Sequence, residues 1–131
     1  MDKQKLFKRI VFLMLFIFLA NNVALELYWY YSIWYFDMLM HFLGGLWEGL
    51  FFIYVFYVRK QILTHLFSII LFVLLIGILY EVFEFFLSVI SHDPFSILDT
   101  TSDIFFDLLG GSFAILYFFK RITSIKENAL Q

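Results

Sequence analysis

Hydrophobic positions along this chain form long, nearly unbroken runs rather than alternating or amphipathic stripes. Four runs approach the roughly 20 apolar residues that a helix needs to cross a hydrocarbon core. They extend from about Ile10 to Tyr30, Phe36 to Val58, Leu66 to Ile90 and Ser102 to Phe119, the last being the shortest. The connectors are YYSIW, RKQILTH and SHDPFSILDTT. The runs are too long for strands and do not alternate, so they read as helices. The pattern predicts an all-α polytopic membrane protein, residues 1–131 forming a single domain of four transmembrane helices.

Composition sharpens this reading. The chain is 63% hydrophobic and 24% aromatic but only 15% charged, whereas a soluble domain is nearer half apolar and a quarter charged. One small core cannot hide that surplus, so the solvent must be lipid. The absence of cysteine excludes a disulfide framework and thiolate metal sites. The basic start followed by an oily run looks like a signal peptide. The run outlasts a signal h-region, however, and no small-residue cleavage site follows, so a retained first span is expected.

Charge then orients the spans. Lys3, Lys5, Lys8 and Arg9 precede the first run, Arg59 and Lys60 separate the second from the third, and Lys120, Arg121 and Lys126 follow the fourth. The two opposite connectors carry no Lys or Arg. The positive-inside rule therefore predicts both termini in the cytoplasm. Trp29, Tyr30, Tyr31, Trp34 and Tyr35 would form an aromatic belt at the outer interface. The basic residues are scattered along the membrane edge, which argues against nucleic-acid binding.

The polar residues inside the runs carry the candidate chemistry. At about 1.5 Å per residue, Asn22 and Glu26, Asp37 and His41, Glu81 and Glu84, and Asp103 and Asp107 all fall in the outer half of the membrane, with Glu48 near the middle. Each pair is spaced three or four residues apart and so shares a helix face. Four such stripes facing one another would build one polar site. His65, His92, Asp93 and Asp99 fall in connectors and read as solvated.

A carboxylate at membrane depth costs roughly 2.5–3.5 kcal/mol on insertion scales, and no Lys or Arg lies on that side to neutralise it. The acids are then protonated, hydrated or gathered around a cation. Carboxylates with one imidazole suit Mg, Mn, Fe or Zn, and a divalent metal would relieve both burial and repulsion. The metal-ligand candidates are Asp37, His41, Glu81, Glu84, Asp103 and Asp107. His41 and Glu81 are the catalytic candidates, and Asn22, Glu26 and Glu48 the cavity-lining ones. Simpler roles remain open at single positions. Asp37 suits a helix N-terminus, Asp103 suits a capping box begun by Thr100, and His41 suits a core histidine bonded to a backbone carbonyl. Glu81, Glu84 and Asp107 lie too far inside their runs to be caps.

The stretches DMLMHFLGG and DIFFDLLGG align without gaps as D-x3-[H/D]-x2-G-G. ALE and VFE ahead of them are a fainter echo, placing Glu26 opposite Glu84. Duplicated helical hairpins arranged in parallel about an axis along the membrane normal would give this pattern, and so would chance similarity in oily sequence. Gly44, Gly45, Gly110 and Gly111 lie one turn below the polar stripe, where small residues let helices approach closely. Gly49 with Ala114 would extend that contact, and Gly77 would do the same for the third span.

The order Asp37-x3-His41, Glu81-x2-Glu84 and Asp103-x3-Asp107-x2-Gly110 resembles the VanZ-like group of small membrane proteins and its YjdF-like relatives. Glu84 stands where a glutamine is usual and Asp107 where an asparagine is usual. The arginine often found before the last helix is missing, and together these departures make the site more acidic and place the chain nearer the YjdF-like side. The resemblance implies a helical integral membrane protein, and with the small size it suggests a prokaryotic inner membrane. Two functions fit these readings. One is a metal-dependent enzyme acting on a lipid or lipid-linked substrate at the outer leaflet. The other is a non-enzymatic cation or proton module, in which four short helices would favour a homo-oligomer. A di-metal bundle fits poorly because E-x2-H is absent, and a structural envelope role is the plainest alternative.

Overall fold

The structure, a computed structural model, describes residues 2–58, 65–92 and 94–128, with 58 and 122–128 as backbone only. The described residues are helical almost throughout: α1 (Lys3–Glu26), the short α2 (Trp29–Ser32), α3 (Phe36–Val58), α4 (Leu66–Ser91) and α5 (Ile97–Asn128). Four of these are long and apolar enough to cross a membrane. Large apolar side chains stand fully outward along them, Phe67 and Ile90 among them, as expected when the surroundings are hydrocarbon. Arg59, Lys60 and Asp93 lie outside the described residues.

Two boundaries differ from the sequence expectation. The first span ends at Glu26 rather than Tyr30, because Tyr28 adopts a left-handed conformation (φ 56°) that breaks the helix before α2 begins. The fourth begins at Ile97 rather than Ser102. Ser96 is its cap: the Asp99 N–H donates to Ser96 Oγ at 3.3 Å, and the Thr100 N–H to the Ser96 carbonyl at 3.2 Å. Asp99 is therefore a first-turn acid of α5 rather than a connector residue. Asp103 lies well inside the helix, which removes the capping-box explanation for it. His65 sits at the start of α4, stacked on Phe56 at 4.5 Å, and is not a solvated connector residue.

Helix α3 is central, and among the described residues its contact with α5 is the most extensive. A Cβ on Gly45 would fall on the Asp107 carbonyl oxygen, and one on Gly110 on the Phe42 carbonyl oxygen. A Cβ on Gly49 would lie 2.7 Å from that of Ala114. The glycine contact expected between spans two and four is thus present, and it brings backbone against backbone. The contacts of 45 with 107 and of 42 with 110 are reciprocal, and with 49 against 114 they relate the two helices by a mean offset of 65 positions. The aligned motifs are 66 apart (37 with 103), so the crossing runs one residue out of register with the motif repeat.

The outer helices differ from each other. Helix α4 leans on both α3 and α5, with Val73 against Gly111 and Gly77 against the Asp107 carboxylate. The backbone of α1 approaches α3 and α2, and among the described residues it does not approach that of α4. An apolar cluster of Leu6, Ile10, Leu50, Ile53, Ile69, Ala114 and Phe118 closes one end of the bundle. There Arg9 lies over the Tyr117 ring, which brings the basic ends of α1 and α5 together. Ala24, Phe36 and Met40 form a smaller cluster near the other end.

One polar tie joins α1 directly to α3. The Trp47 indole N–H donates to the Ile10 carbonyl at 3.1 Å. Trp47→Phe keeps the ring and loses the bond. Interhelical hydrogen bonds in lipid average about 0.6 kcal/mol, and a loss of that order is expected in an SDS-titration unfolding experiment.

Candidate functional site

The site grows from Asp107. Its backbone carbonyl occupies the space that Gly45 of α3 leaves free, and its Oδ2 lies 2.7 Å from where a Gly77 Cβ of α4 would be. Two glycines on two helices thus admit one aspartate into the centre of the bundle. There its carboxylate meets His41: Nδ1 is 3.3 Å from Oδ1 and 3.4 Å from Oδ2. The other face of the imidazole turns toward Asp37, one turn earlier on α3, with Nε2 3.8 Å from Oδ1. Asp37 is also a first-turn acid of α3, where the helix dipole favours it. The Tyr80 ring stands edge-on to the imidazole at 5.6 Å.

Around this axis sit the remaining acids. Asp103 is 1% exposed, and neither carboxylate oxygen has a hydrogen-bond partner among the described residues. Glu81 is also buried, with Oε1 unpartnered. Thr100 stands near the Glu81 carboxyl, and Tyr80 near that of Glu84. Two overlapping triads result, Asp37–His41–Asp103 and His41–Glu81–Glu84. Within each, one ligand atom per residue lies within 4.8 Å of the others. Asp107 belongs to neither triad; it backs the histidine they share.

A cleft of about 410 Å³ opens beside the site, with α3 as its floor and α1 and α4 as its walls. Asp37, His41 and Asp107 face it near one end, and Glu48 lies further along α3 with a buried Oε2 that has no partner among the described residues. Gly44 also lines it, since a Cβ there would only just reach Asp107 Oδ1. Met14, Ile17 and Phe18 of α1 and Ile76 of α4 supply an apolar wall.

Two of the cavity-lining expectations are corrected. Asn22 and Glu26 are exposed on the far side of α1. Asn22 satisfies its amide by donating to the Phe18 carbonyl of its own helix at 2.7 Å, as short polar side chains in helices commonly do. Asn21 lines the cleft instead, and its Oδ1 accepts the Tyr30 hydroxyl at 2.6 Å. The signal was present in the apolar spacing. Leu6, Ile10, Ile17 and Ala24 face inward at helical intervals, and Asn21 follows Ile17 by four. Tyr30, Tyr80 and Thr100 were missed because their value depends on which way each helix is rotated, which a uniformly oily run does not reveal.

The comparisons are consistent with this architecture. No curated protein and no solved structure matches the chain. One family does match, over residues 2–124, and its description is "Predicted membrane protein (DUF2238)". With four apolar helices of spanning length and a family match over nearly its whole length, the chain is an integral membrane protein belonging to the DUF2238 family.

Proposed function

We propose that this protein is a membrane-embedded, divalent-cation-dependent hydrolase of a lipid or lipid-linked substrate. In this reading both termini are cytoplasmic and the site lies in the outer half of a prokaryotic inner membrane. The observation that carries the proposal is Asp103. A buried carboxyl with two unpartnered oxygens is costly unless a proton or a cation compensates it, and it lies within ligand distance of Asp37 and His41.

The roles follow from the geometry. His41 donates Nδ1–H to Asp107, which fixes the ring and leaves Nε2 free as a ligand beside Asp37, the carboxylate–histidine arrangement common behind metal ligands. Asp37, His41 and Asp103 would hold the ion, and Glu84 would extend the set. A bound divalent ion supplies Lewis acidity and an acidified water. Glu81, whose Oε1 has no partner among the described residues, is placed to act as the general base. The apolar wall of the cleft takes the substrate's chain. The resemblance to the VanZ-like and YjdF-like groups agrees with the membrane setting and supplies no reaction.

Metal content of the detergent-purified protein, measured by mass spectrometry, is the test. A near-stoichiometric divalent ion is expected, lost in His41→Ala and retained in Glu81→Gln. The Glu81→Gln variant should lose lipid hydrolysis in nanodiscs, falling by about 10²-fold or more as expected for a general base. Absence of metal even after soaking sinks the proposal. Glu48 favours a second reading, a cation or proton path, because it carries an unpartnered oxygen further along the same cleft. That reading requires proton or cation flux in proteoliposomes that stops in Glu48→Gln. The hydrolase reading expects no flux from either protein.

A further inference from the structure

We propose that the cleft selects amphiphiles that carry a cationic nitrogen. Its lining contains the carboxylates of Asp37, Glu48 and Asp107 and includes no Lys or Arg. Only Asp107 is closely matched, by His41. The Asp37 side chain is 33% exposed and 3.8 Å from the imidazole, and Glu48 Oε2 has no partner among the described residues. Two acids therefore face the cleft with little or no compensation, and Glu48 is not used by the proposed hydrolysis.

The rest of the lining suits the same ligand. Phe18, Tyr30 and Tyr80 offer aromatic faces, which attract ammonium and quaternary ammonium groups. Met14 and Met40 are adaptable side chains that accept varied shapes. The backbones of α1 and α4 do not approach each other among the described residues, and the Met14, Ile17 and Phe18 wall between them would take an apolar chain. An anionic headgroup would meet the Asp37 and Glu48 carboxylates and no Lys or Arg, with His41 already engaged by Asp107, which is the repulsive element that specificity requires. The inference rests on the cleft as the substrate's berth, as the proposed function has it, and needs no metal.

The test uses full-length protein in nonionic micelles with a chelator present. Trimethylammonium, sulfate and uncharged sugar amphiphiles of equal chain length are titrated against tryptophan fluorescence. The ammonium amphiphile is expected to bind at least about tenfold tighter than the sulfate, a gap well within what charge discrimination supplies. Tetramethylammonium, which has no chain, should bind far more weakly. The preference should shrink in Glu48→Gln and vanish when Asp37→Asn is added; Phe18→Leu, on an exposed wall position, guards against misfolding of the acid variants and should also weaken ammonium binding. Displacement by ethanolamine or choline phospholipid in nanodiscs would identify a lipid headgroup as the source, and lack of displacement a free lipophilic amine. Equal affinity for both signs of charge, or a preference that survives the double variant, overturns the inference. Because chelator is present throughout, failure of the metal reading leaves this result standing, and the converse holds.

Discussion

Gly45→Leu should prevent α3 and α5 from assembling. The added Cβ alone would fall on the Asp107 carbonyl oxygen, and a helix carbonyl cannot rotate aside as a side chain can. Ordinary overpacking costs about 1–3 kcal/mol, and backbone overlap should exceed that. Lipid supplies no hydrophobic force to hold the helices together once their close packing is lost, since the tails are as apolar as leucine. Separation would also draw Asp107 away from His41, so the site should go with the fold. Gly110→Leu should behave alike, because its Cβ meets the Phe42 carbonyl. Gly44→Ala is the control. Its Cβ would lie 4.0 Å from Asp107 Oδ1, an ordinary contact, so the variant should melt like the parent. Thermal unfolding in mild detergent and gel filtration read the result. A Gly45→Leu protein with unchanged melting and His41 chemistry would mean that α3 and α5 do not cross at these glycines.

Much of this arrangement could be read from residues before any coordinates. Long oily runs leave helices as the only economical way to satisfy the backbone in lipid, so the four spans were legible. The glycine contact was legible too, because small residues at fixed depth on two helices have few other uses. Helix rotation was not. In a soluble helix the polar face marks the outside, but lipid accepts apolar residues on every face, and the rotation of α1 had to be guessed from Asn22 and Glu26. The guess put the cleft on the wrong side of α1, and Asn21 proved to be the inward amide. The start of α5 was missed for a different reason: Ser96 and Asp99 form a capping pair ahead of the apolar run, and the run itself was taken as the boundary. The paired motifs are the subtlest case. Matching motifs align 37 with 103, yet one acid stands open to the cleft while the other is sealed. The one-residue offset at the α3–α5 crossing and the leaning of α4 on both helices are tertiary features that no local pattern encodes.

Asp103→Asn should separate the energetics of folding from those of metal binding, because the sign of its effect depends on what is bound. In chelator, the parent carries a buried carboxyl with two unpartnered oxygens, and replacing it with a neutral amide removes a group that is costly to ionise there. Asparagine still lacks partners, so the variant should melt at the same temperature as the parent or slightly above it. With a divalent ion at about a hundred times its dissociation constant, the parent should gain about 2.7 kcal/mol by mass action. The variant has lost one ligand of the Asp37–His41–Asp103 triad and should gain little at the same ion concentration. Asp107→Asn should weaken the gain less severely, by the 10–100-fold in affinity typical of a residue that positions a ligand from behind, since Asp107 touches only the far nitrogen of His41. Melting curves of the three proteins, in chelator and across a series of Mg, Mn and Zn concentrations, give both numbers from one experiment. A parent that gains nothing from any ion would mean that Asp103 is held by a proton. A variant that gains as much as the parent would mean that the ion sits with Glu81 and Glu84, the other triad around His41.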